Sequence, residues 1–273
     1  MLAALALAAQ AQPVVRIIVP FAAGGVQDIL ARALNQELGT LLLAAASHTI
    51  TGHVYSKLPY HPIKDFTGVA HIGTVDYVLM IGAEVPAKSV KEFIAYAKAN
   101  PGKLNYASAG TGSATHLSMA YFASLAGIEM VHVPFKATGE AINEVLAGRA
   151  HAVSASNIGA IPFAKDSRVR MLGVSGAKRS KFLPELPTIA ESLPGYEFDS
   201  WLGLLAPVAT PKATVEQINA AMAKLLKDPV ILERLDKQGV IPRALSPDEF
   251  NALLRADFDK MGKIVKAAGA KID

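Results

Sequence analysis

The sequence predicts an α/β protein with mostly parallel sheets, and three observations support this. Short apolar or β-branched runs of strand length alternate with longer segments of helical periodicity. Gly-rich turns join several of these runs to the helical segments, and no unit repeats at a fixed period. Hydrophobic residues make up 51% of the 273 residues and charged residues 18%, which supports one large domain or two lobes with ample core.

The first eleven residues have the pattern of the end of a secretory signal peptide. Met1–Ala9 is apolar but far shorter than the roughly 20 residues that span a bilayer. Ala9-Gln10-Ala11 matches a cleavage site, although the usual basic segment before the apolar run is missing. An apolar first helix is the alternative, but Pro13 would break it. We therefore expect export and a mature N-terminus near Gln12.

The first elements form a strand–turn–helix–strand unit. Val14–Val19 is β-branched and predicts a buried strand, and the Gly-rich turn Pro20–Gly25 follows it. Val26–Leu38 has helical periodicity, with Gly39 as its stop signal. The apolar run Leu41–Ala45 predicts the next strand.

The rest of the chain continues this alternation and ends in helices. Further strands are predicted at Val69–Gly73, Tyr77–Ile81, Leu104–Ala107, Met130–Val133, Ala152–Ala155, Met171–Val174 and Leu202–Ala206. Helices are predicted at Ser89–Asn100, Ser113–Ala126, Glu140–Leu146, a short stretch from Ile158, Lys212–Leu226, Pro229–Gln238 and Pro247–Ala268. Capping boxes begin at Ser89 and Ser246, and Gly269 is a plausible C-cap. The Pro-rich segment Ser175–Asp199 is predicted to be mostly loop.

Two Gly-rich strand-to-helix turns are the candidate binding elements, Phe21–Gly25 and Ser108–Ser113. Each would present free backbone N–H groups and a helix N-terminus, which favour a carboxylate or phosphate. Two ordinary tight turns are the alternative. His116 lies one turn into the second helix, where we expect its side chain to hold the loop by a hydrogen bond.

Motifs for other functions are absent from the sequence. The chain has no cysteine, which excludes disulfides, thiol nucleophiles and zinc–thiolate sites. Gly173–Ala177 lacks the spacing of a nucleophile elbow, no P-loop occurs, and the seven histidines lack metal-site spacing. A net charge of +4 with 7% aromatic residues favours anionic solutes over nucleic acid. We predict no enzymatic activity, no cofactor, no metal and no nucleic-acid partner.

Seven stretches of the sequence carry a family resemblance, in order along nearly the whole chain. They are Ile17–Arg32, Tyr55–Phe66, Gly102–Leu117, Val131–Lys136, Val174–Thr188, Leu202–Pro211 and Lys266–Asp273. Together they resemble the periplasmic solute receptors of tripartite tricarboxylate transporters, also called Bug receptors. No single stretch decides the resemblance, but the ordered set is specific.

The resemblance implies a two-lobed Venus-flytrap fold of the type II-like periplasmic binding proteins. Residues 12–101 and 208–273 would form lobe one, and residues 102–207 lobe two. It implies a monomeric periplasmic receptor that binds a small carboxylated solute between the lobes. The receptor would deliver this solute to the membrane permease of the transporter. A ligand sensor that docks on a membrane signalling protein would have the same sequence features, and remains an alternative.

The resemblance also implies a set of ligand-binding residues. Such receptors bind carboxylates through backbone amides, hydroxyls and water, at a P-F-x-A-G-G turn of one lobe and an S-A-G-x-G-x-x-x-H loop of the other. The matching residues here are Phe21, Ala22, Gly24, Gly25 and Asp28 in lobe one, and Ser108, Gly110, Thr111, Gly112 and Ser113 in lobe two, with Pro134, Phe135 and Lys136 nearby. Asn157 matches the Asn of an Asp-Asn pair whose acid is Ser156 here, and Ser47 and His48 match a small/hydroxyl pair near the cleft.

One departure from the family pattern concerns lobe one. Family members carry a further strand, a second Gly-rich turn and a helix, some thirty-odd residues, between the first helix and the next strand. Here Gly39-Thr40 joins these two elements directly. We therefore expect strand Val14–Val19 at or next to an open sheet edge, with weaker binding and some self-association. A truncated receptor with impaired binding is the other alternative.

Overall fold

The computed structural model describes residues 16–18 and 40–271. Its strands are β1 (Arg16–Ile18), β2 (Thr40–Ala45), β3 (Phe66–Gly82), β4 (Leu104–Ser108), β5 (Met130–Pro134), β6 (Ala152–Ser156), β7 (Val169–Val174), β8 (Asp199–Pro207) and β9 (Ile241–Pro242). Its α-helices are α1 (Ser47–Val54), α2 (Val90–Ala99), α3 (Ala114–Ala126), α4 (Thr138–Leu146), α5 (Asn157–Ala160), α6 (Lys212–Leu225), α7 (Pro229–Lys237) and α8 (Pro247–Ala268). Short 3₁₀ turns cover Ile161–Phe163 and Ile189–Glu191.

The long strand β3 connects two sheets. Its first half, up to Asp76, pairs with β8 and β9, and β2 and β1 follow beyond β8; we call these strands sheet A. Its second half, from Tyr77, pairs with β6 on one side and β7 on the other, and β4 and β5 follow beyond β6; we call these strands sheet B. The crossover between the sheets therefore lies at Asp76 and Tyr77.

The sequence predicted two strands where the structure has the single 17-residue strand β3. The residues between the two predicted strands, Thr74 to Asp76, stay extended because each has a cross-strand partner in β8. Two register irregularities, near Gly68 and His71, bend the strand without ending it. A local apolar pattern cannot show such pairing, because the partner residues are more than 120 positions away.

Strand directions are more mixed than the mostly parallel sheets that the sequence predicted. Among the described residues, β1–β2, β4–β5 and β4–β6 are parallel pairs. The pairs that involve β3 or β8 are antiparallel.

Most helices begin and end at the residues that the sequence indicated. Ser113 caps α3, where its hydroxyl accepts the His116 N–H. Ser246 and Glu249 form the predicted capping box of α8, and Gly269 ends that helix at φ 60°. Helix α1 was not predicted, because no side chain caps its first turn and its apolar periodicity is weak.

Helices cover both faces of the two sheets. Helices α6 and α7 pack on one face of sheet A through residues such as Ile218 and Leu235, and the first half of α8 packs on the other through Phe250. Helix α4 covers one face of sheet B, and α2 and α3 cover the other. The last turns of α8, around Ile264, join this second core, so α8 contacts both sheets.

The strand pairing divides the chain at other positions than the predicted lobe boundaries of residues 101 and 207. The second half of β3 pairs within sheet B, and α2 packs in the core of that sheet. Strand β8 pairs with β2 in sheet A. We therefore propose that the lobes divide at Asp76/Tyr77 and at Phe198/Asp199.

The edge of sheet A is formed by β1. Among the described strands, β1 pairs with β2 and lies at the end of the strand order, the place that we expect for it if a strand unit is missing. Thr49–Tyr60 does not lie beyond β1 as a strand, because it consists of α1 and the turns that follow. Within the described ranges, no helix is both long and apolar enough to span a membrane.

Candidate functional site

The carboxyl ends of strands from both sheets point toward the crossover of β3. In sheet A, Ala45 at the end of β2 lies level with Leu202, which pairs with Gly73 of β3. In sheet B, β6 runs antiparallel to β3 and ends at Ser156, opposite Tyr77, and β4 runs parallel to β6. The loops that follow β2, β4, β5 and β6 are therefore on the sides of the two sheets that face each other.

The loop after β4, residues 108–113, is held by its own hydrogen bonds; we call it the Ser108 loop. Ser108 is fully buried, and its hydroxyl accepts the Gly110 N–H at 3.1 Å. Gly110 and Gly112 adopt φ 109° and 77°, a region that favours glycine. The Ser113 N–H donates to the Gly110 carbonyl at 3.1 Å. The chain thus turns sharply from β4 into α3.

His116 accepts the backbone N–H of Gly112 on its Nδ1 atom at 3.1 Å, which confirms the predicted role of this side chain in holding the loop. The Ala109 N–H donates to the Thr115 hydroxyl at 2.8 Å. The other N–H groups of the loop thus have acceptors, but those of Thr111, Ala114 and Thr115 have none among the described residues. These three N–H groups, at the N-terminus of α3, are the ones available to an anion.

His132 supports the same loop from β5. Its Nε2 atom lies 2.6 Å from the Ser108 hydroxyl, and its ring stacks on His116 with the centroids 3.9 Å apart. Burial, and secondarily the proximity of His132, lowers the pKa of His116 to about 4. Burial lowers the pKa of His132 as well. Both rings are therefore neutral near pH 7, and Nδ1 of His116 keeps the lone pair that accepts the hydrogen bond from the Gly112 N–H.

The end of β5 lies beside the Ser108 loop, as the sequence motif implied. Ser108 is level with Pro134, and the Phe135 N–H donates to the Ser108 carbonyl at 2.9 Å. The Phe135 carbonyl lies 3.4 Å from where a Cβ on Gly110 would be, an ordinary van der Waals contact, so the φ of Gly110 and not lack of space is what favours glycine there. The structure thus brings Ser108–Ser113 together with Pro134, Phe135 and the exposed Lys136.

Ser47 and His48 follow the carboxyl end of β2 in the first turn of α1. His48 is buried, its Nε2 lies 2.9 Å from the Pro62 carbonyl, and its ring packs edge-on against Phe66. Burial lowers its pKa, so the ring is neutral near pH 7. Both residues line a mostly apolar cavity of about 400 Å³. Its other lining residues are Leu42, Ala44, Ala45, Thr51, Tyr60 and Phe66.

Asn157 is buried and hydrogen-bonded within the protein. It is 0% exposed, its Nδ2 donates to the Gly239 carbonyl at 2.7 Å, and its Oδ1 accepts the Ile158 N–H at 2.8 Å. Its carboxamide therefore connects the end of β6 to the turn before β9. The ligand contact that the family resemblance implied for Asn157 stays a prediction.

Two acids lie at the crossover itself. Asp76 and Asp199 are directly opposite each other on β3 and β8, and Asp76 is only 4% exposed. Burial, and then the Asp199 charge, raises the pKa of Asp76 to about 6. Asp257 of α8 accepts hydrogen bonds from Thr49 and Trp201. The Trp201 ring packs in the core with Phe250 and Leu254.

Five of the predicted ligand-binding residues lie outside the described residues: Phe21, Ala22, Gly24, Gly25 and Asp28. Conversely, the sequence did not single out His132 as part of the site. The signal was present, because His132 precedes Pro134 by two positions and so shares its side of β5. Among residues 16–18 and 40–271, no three acidic or histidine side chains are grouped closely enough to hold a metal ion.

Comparison with protein families decides which group the chain is part of. The family model described as the tripartite tricarboxylate transporter family receptor matches residues 3–270. The chain belongs to this receptor family. The Bug-type resemblance found in the sequence is thereby confirmed.

One relative of this receptor is the UPF0065 protein of the tcbD–tcbE intergenic region of Pseudomonas sp. (strain P51). It is 32% identical over 282 residues, which cover 91% of this chain and 84% of the relative. The alignment is 282 positions long, but it includes only 91% of this chain, which is about 248 residues. About 34 positions of the relative therefore face gaps in the receptor, which is close to the thirty-odd residues of the unit that we expect to be missing.

Solved structures of similar proteins confirm the two-lobed fold class. An R. palustris protein with adipate is 29% identical, with a TM-score of 0.81 and coverage of 95% of this chain and 98% of that chain. The periplasmic binding protein BugD is 26% identical, with a TM-score of 0.75 and the same coverage. MatC from Rhodopseudomonas palustris, with bound malate, is 26% identical, with a TM-score of 0.74 and coverage of 93% and 98%.

Proposed function

We propose that this receptor binds a small carboxylated solute in the periplasm, between the facing ends of sheets A and B. The observation that supports this best is the set of three uncommitted N–H groups, of Thr111, Ala114 and Thr115, at the N-terminus of α3. They suit one carboxylate group, since a helix N-terminus stabilises negative charge. The hydroxyls of Thr111 and Ser113 would supply further donors.

The ligand class follows from the neighbours together with this geometry. Two structural neighbours are described with adipate and with malate, both of which are dicarboxylates. In this receptor the Ser108 loop would hold one carboxylate. The turn at residues 21–25, which lies outside the described residues, would hold another part of the solute. The bound solute would be passed to the membrane permease of a tripartite tricarboxylate transporter, without chemical change.

A receptor with impaired binding is the second candidate, and one observation favours it. About 34 positions of the Pseudomonas relative have no counterpart here, and β1 forms the edge of sheet A in the described structure. A missing unit next to β1 would remove part of the wall of the cleft. In that case the fold would persist while carboxylate affinity falls below that of full-length family members.

A thermal-shift screen tests the proposed function. The purified receptor is heated with adipate, malate, citrate, glutamate, nicotinate and benzoate, each at several concentrations. A ligand that binds only the folded state raises the melting temperature with concentration. A melting temperature that keeps rising with the concentration of at least one acid is expected, and no rise with the uncharged amides of the same acids. Each acid is tested up to about 10 mM, which sets the weakest affinity that the screen detects. No rise with any acid would contradict carboxylate binding and favour the receptor with impaired binding.

A further inference from the structure

Two contacts connect the sheet A side of the protein to the sheet B side next to the crossover. Asn157, directly after β6, donates to the Gly239 carbonyl in the turn between α7 and β9. Lys181, in the loop after β7, lies 2.5 Å from the carboxylate of Asp236 in α7. Both contacts thus reach the same end of α7, and we call the pair the clamp.

The Asn157 contact is closely fitted. Gly239 adopts φ 64°, and a Cβ at that position would lie 2.6 Å from Asn157 Oδ1. Any other residue would therefore collide with the Asn157 carboxamide as well as being strained. The carboxamide is fully buried with both of its ends hydrogen-bonded, so losing the contact would leave polar groups unsatisfied.

The Lys181–Asp236 pair makes a smaller contribution. The two side chains are 48% and 49% exposed, and exposed pairs of this kind stabilise proteins little. Its position matters more, because it joins the loop after β7 to the same end of α7 that the Asn157 hydrogen bond reaches. The Asn157–Gly239 hydrogen bond is accordingly the main element of the clamp.

The clamp spans the crossover of β3. Strand β9, just after Gly239, pairs with β3 at Thr74, two residues before the crossover. Strand β6, just before Asn157, pairs with β3 at Tyr77. A bend of β3 between these positions changes the distance between Asn157 and Gly239 directly. Each partner lies next to a strand that pairs with a different half of β3.

We propose that the clamp fixes the angle between sheets A and B by holding Asn157 against Gly239. Asn157 then acts as a positioning residue for the cleft and not as a ligand contact. Loss of one buried hydrogen bond of ordinary strength shifts a two-state equilibrium about five- to tenfold. Such a shift populates conformations with a wider angle between sheets A and B, which the clamp otherwise disfavours. Any effect of the clamp on ligand affinity rests on the proposed function. Its effect on the angle between the sheets does not.

Distance measurements between spin labels test the clamp without any ligand. The chain has no cysteine, so Asn143→Cys on α4 and Gln217→Cys on α6 give two unique label sites, both exposed. Asn157→Ala is introduced into this background. Asn219→Ala is the matched control, because Asn219 also bonds two backbone carbonyls, of Val69 and Leu245, but within the sheet A side. Circular dichroism confirms that each variant is folded.

We expect Asn157→Ala to add longer distances to the distribution, while Asn219→Ala keeps the parent distribution. If Asn157→Ala does not fold, Lys181→Ala replaces it, with Lys237→Ala as control, since Lys237 pairs with Glu233 inside α7. A smaller broadening is then expected for Lys181→Ala alone. Identical distributions for the clamp variant and its control would overturn the proposal. Failure of the proposed function would instead leave these distances unaffected and appear only as absent carboxylate binding.

Discussion

Replacing Gly112 with valine should weaken carboxylate binding at the Ser108 loop while the rest of the protein stays folded. Gly112 has φ 77°, and its N–H donates to His116. A β-branched residue in this region is strained by roughly 1–3 kcal/mol, so the loop would relax and move the neighbouring Thr111 N–H away from the ligand. Loss of one such hydrogen bond to a charged group, about 1.5–3 kcal/mol, weakens binding at least tenfold.

The control for this substitution is Gly102→Val. Gly102 has φ 68° and nothing within 4 Å of an added Cβ, so a valine there causes similar backbone strain. Gly102 precedes the start of β4, at the opposite end of the strand from the loop. Titration calorimetry with the acid that gives the largest thermal shift measures both variants. Both should melt a few degrees lower than the parent, at about 2–4 °C per kcal/mol. Equal affinity of the two variants and the parent would refute the placement of the site.

Three further predictions follow from the described geometry. His116→Leu removes the acceptor of the Gly112 N–H and should weaken binding about fivefold or more, whereas His116→Asn, which keeps an acceptor oxygen, should stay within about twofold; equal losses in calorimetry would contradict this. Asp76 has a folded-state pKa of about 6 against an ordinary value of 3.8, so its protonated form stabilises the fold below about pH 4, and this contribution of about 3 kcal/mol is lost as the pH rises through 6. Asp76→Asn should therefore flatten the urea-unfolding stability between pH 4 and pH 7, and an unchanged pH profile would count against it. Finally, the edge position of β1 predicts concentration-dependent self-association in sedimentation velocity, and a strictly monomeric protein at all concentrations would argue that this edge is protected.

Local signals predicted much of the fold. Helices such as α3 and α8 carry their own caps, Ser113 and Ser246, so their ends can be read from the sequence within about one residue. Strand β3 could not be predicted as one element, because its continuity depends on pairing with the distant strand β8. The lobe boundaries that we propose at Asp76/Tyr77 and Phe198/Asp199 rest on the same long-range pairing, which a local pattern does not show.

The site was predictable as a motif but not in its atomic detail. The sequence indicated the Ser108 loop and the helix that follows. The sequence also predicted that His116 holds the loop, but not that the bonded N–H groups are those of Gly110, to the Ser108 hydroxyl, and of Gly112, to His116. Asn157 was assigned to the ligand by resemblance, whereas its partner Gly239 lies 82 residues further along the chain.

An NMR titration of the ¹⁵N-labelled receptor tests the central claim, carboxylate capture by the Ser108 loop, most directly. Adipate, malate and the other acids of the screen are added in turn, and the backbone amide shifts are followed. The amide signals of Thr111, Ala114 and Thr115 should show the largest saturable shifts, and those of Gly110 and Gly112, which are already bonded, smaller ones. Saturable binding that leaves all three amides unshifted, or no binding of any acid, would contradict the account.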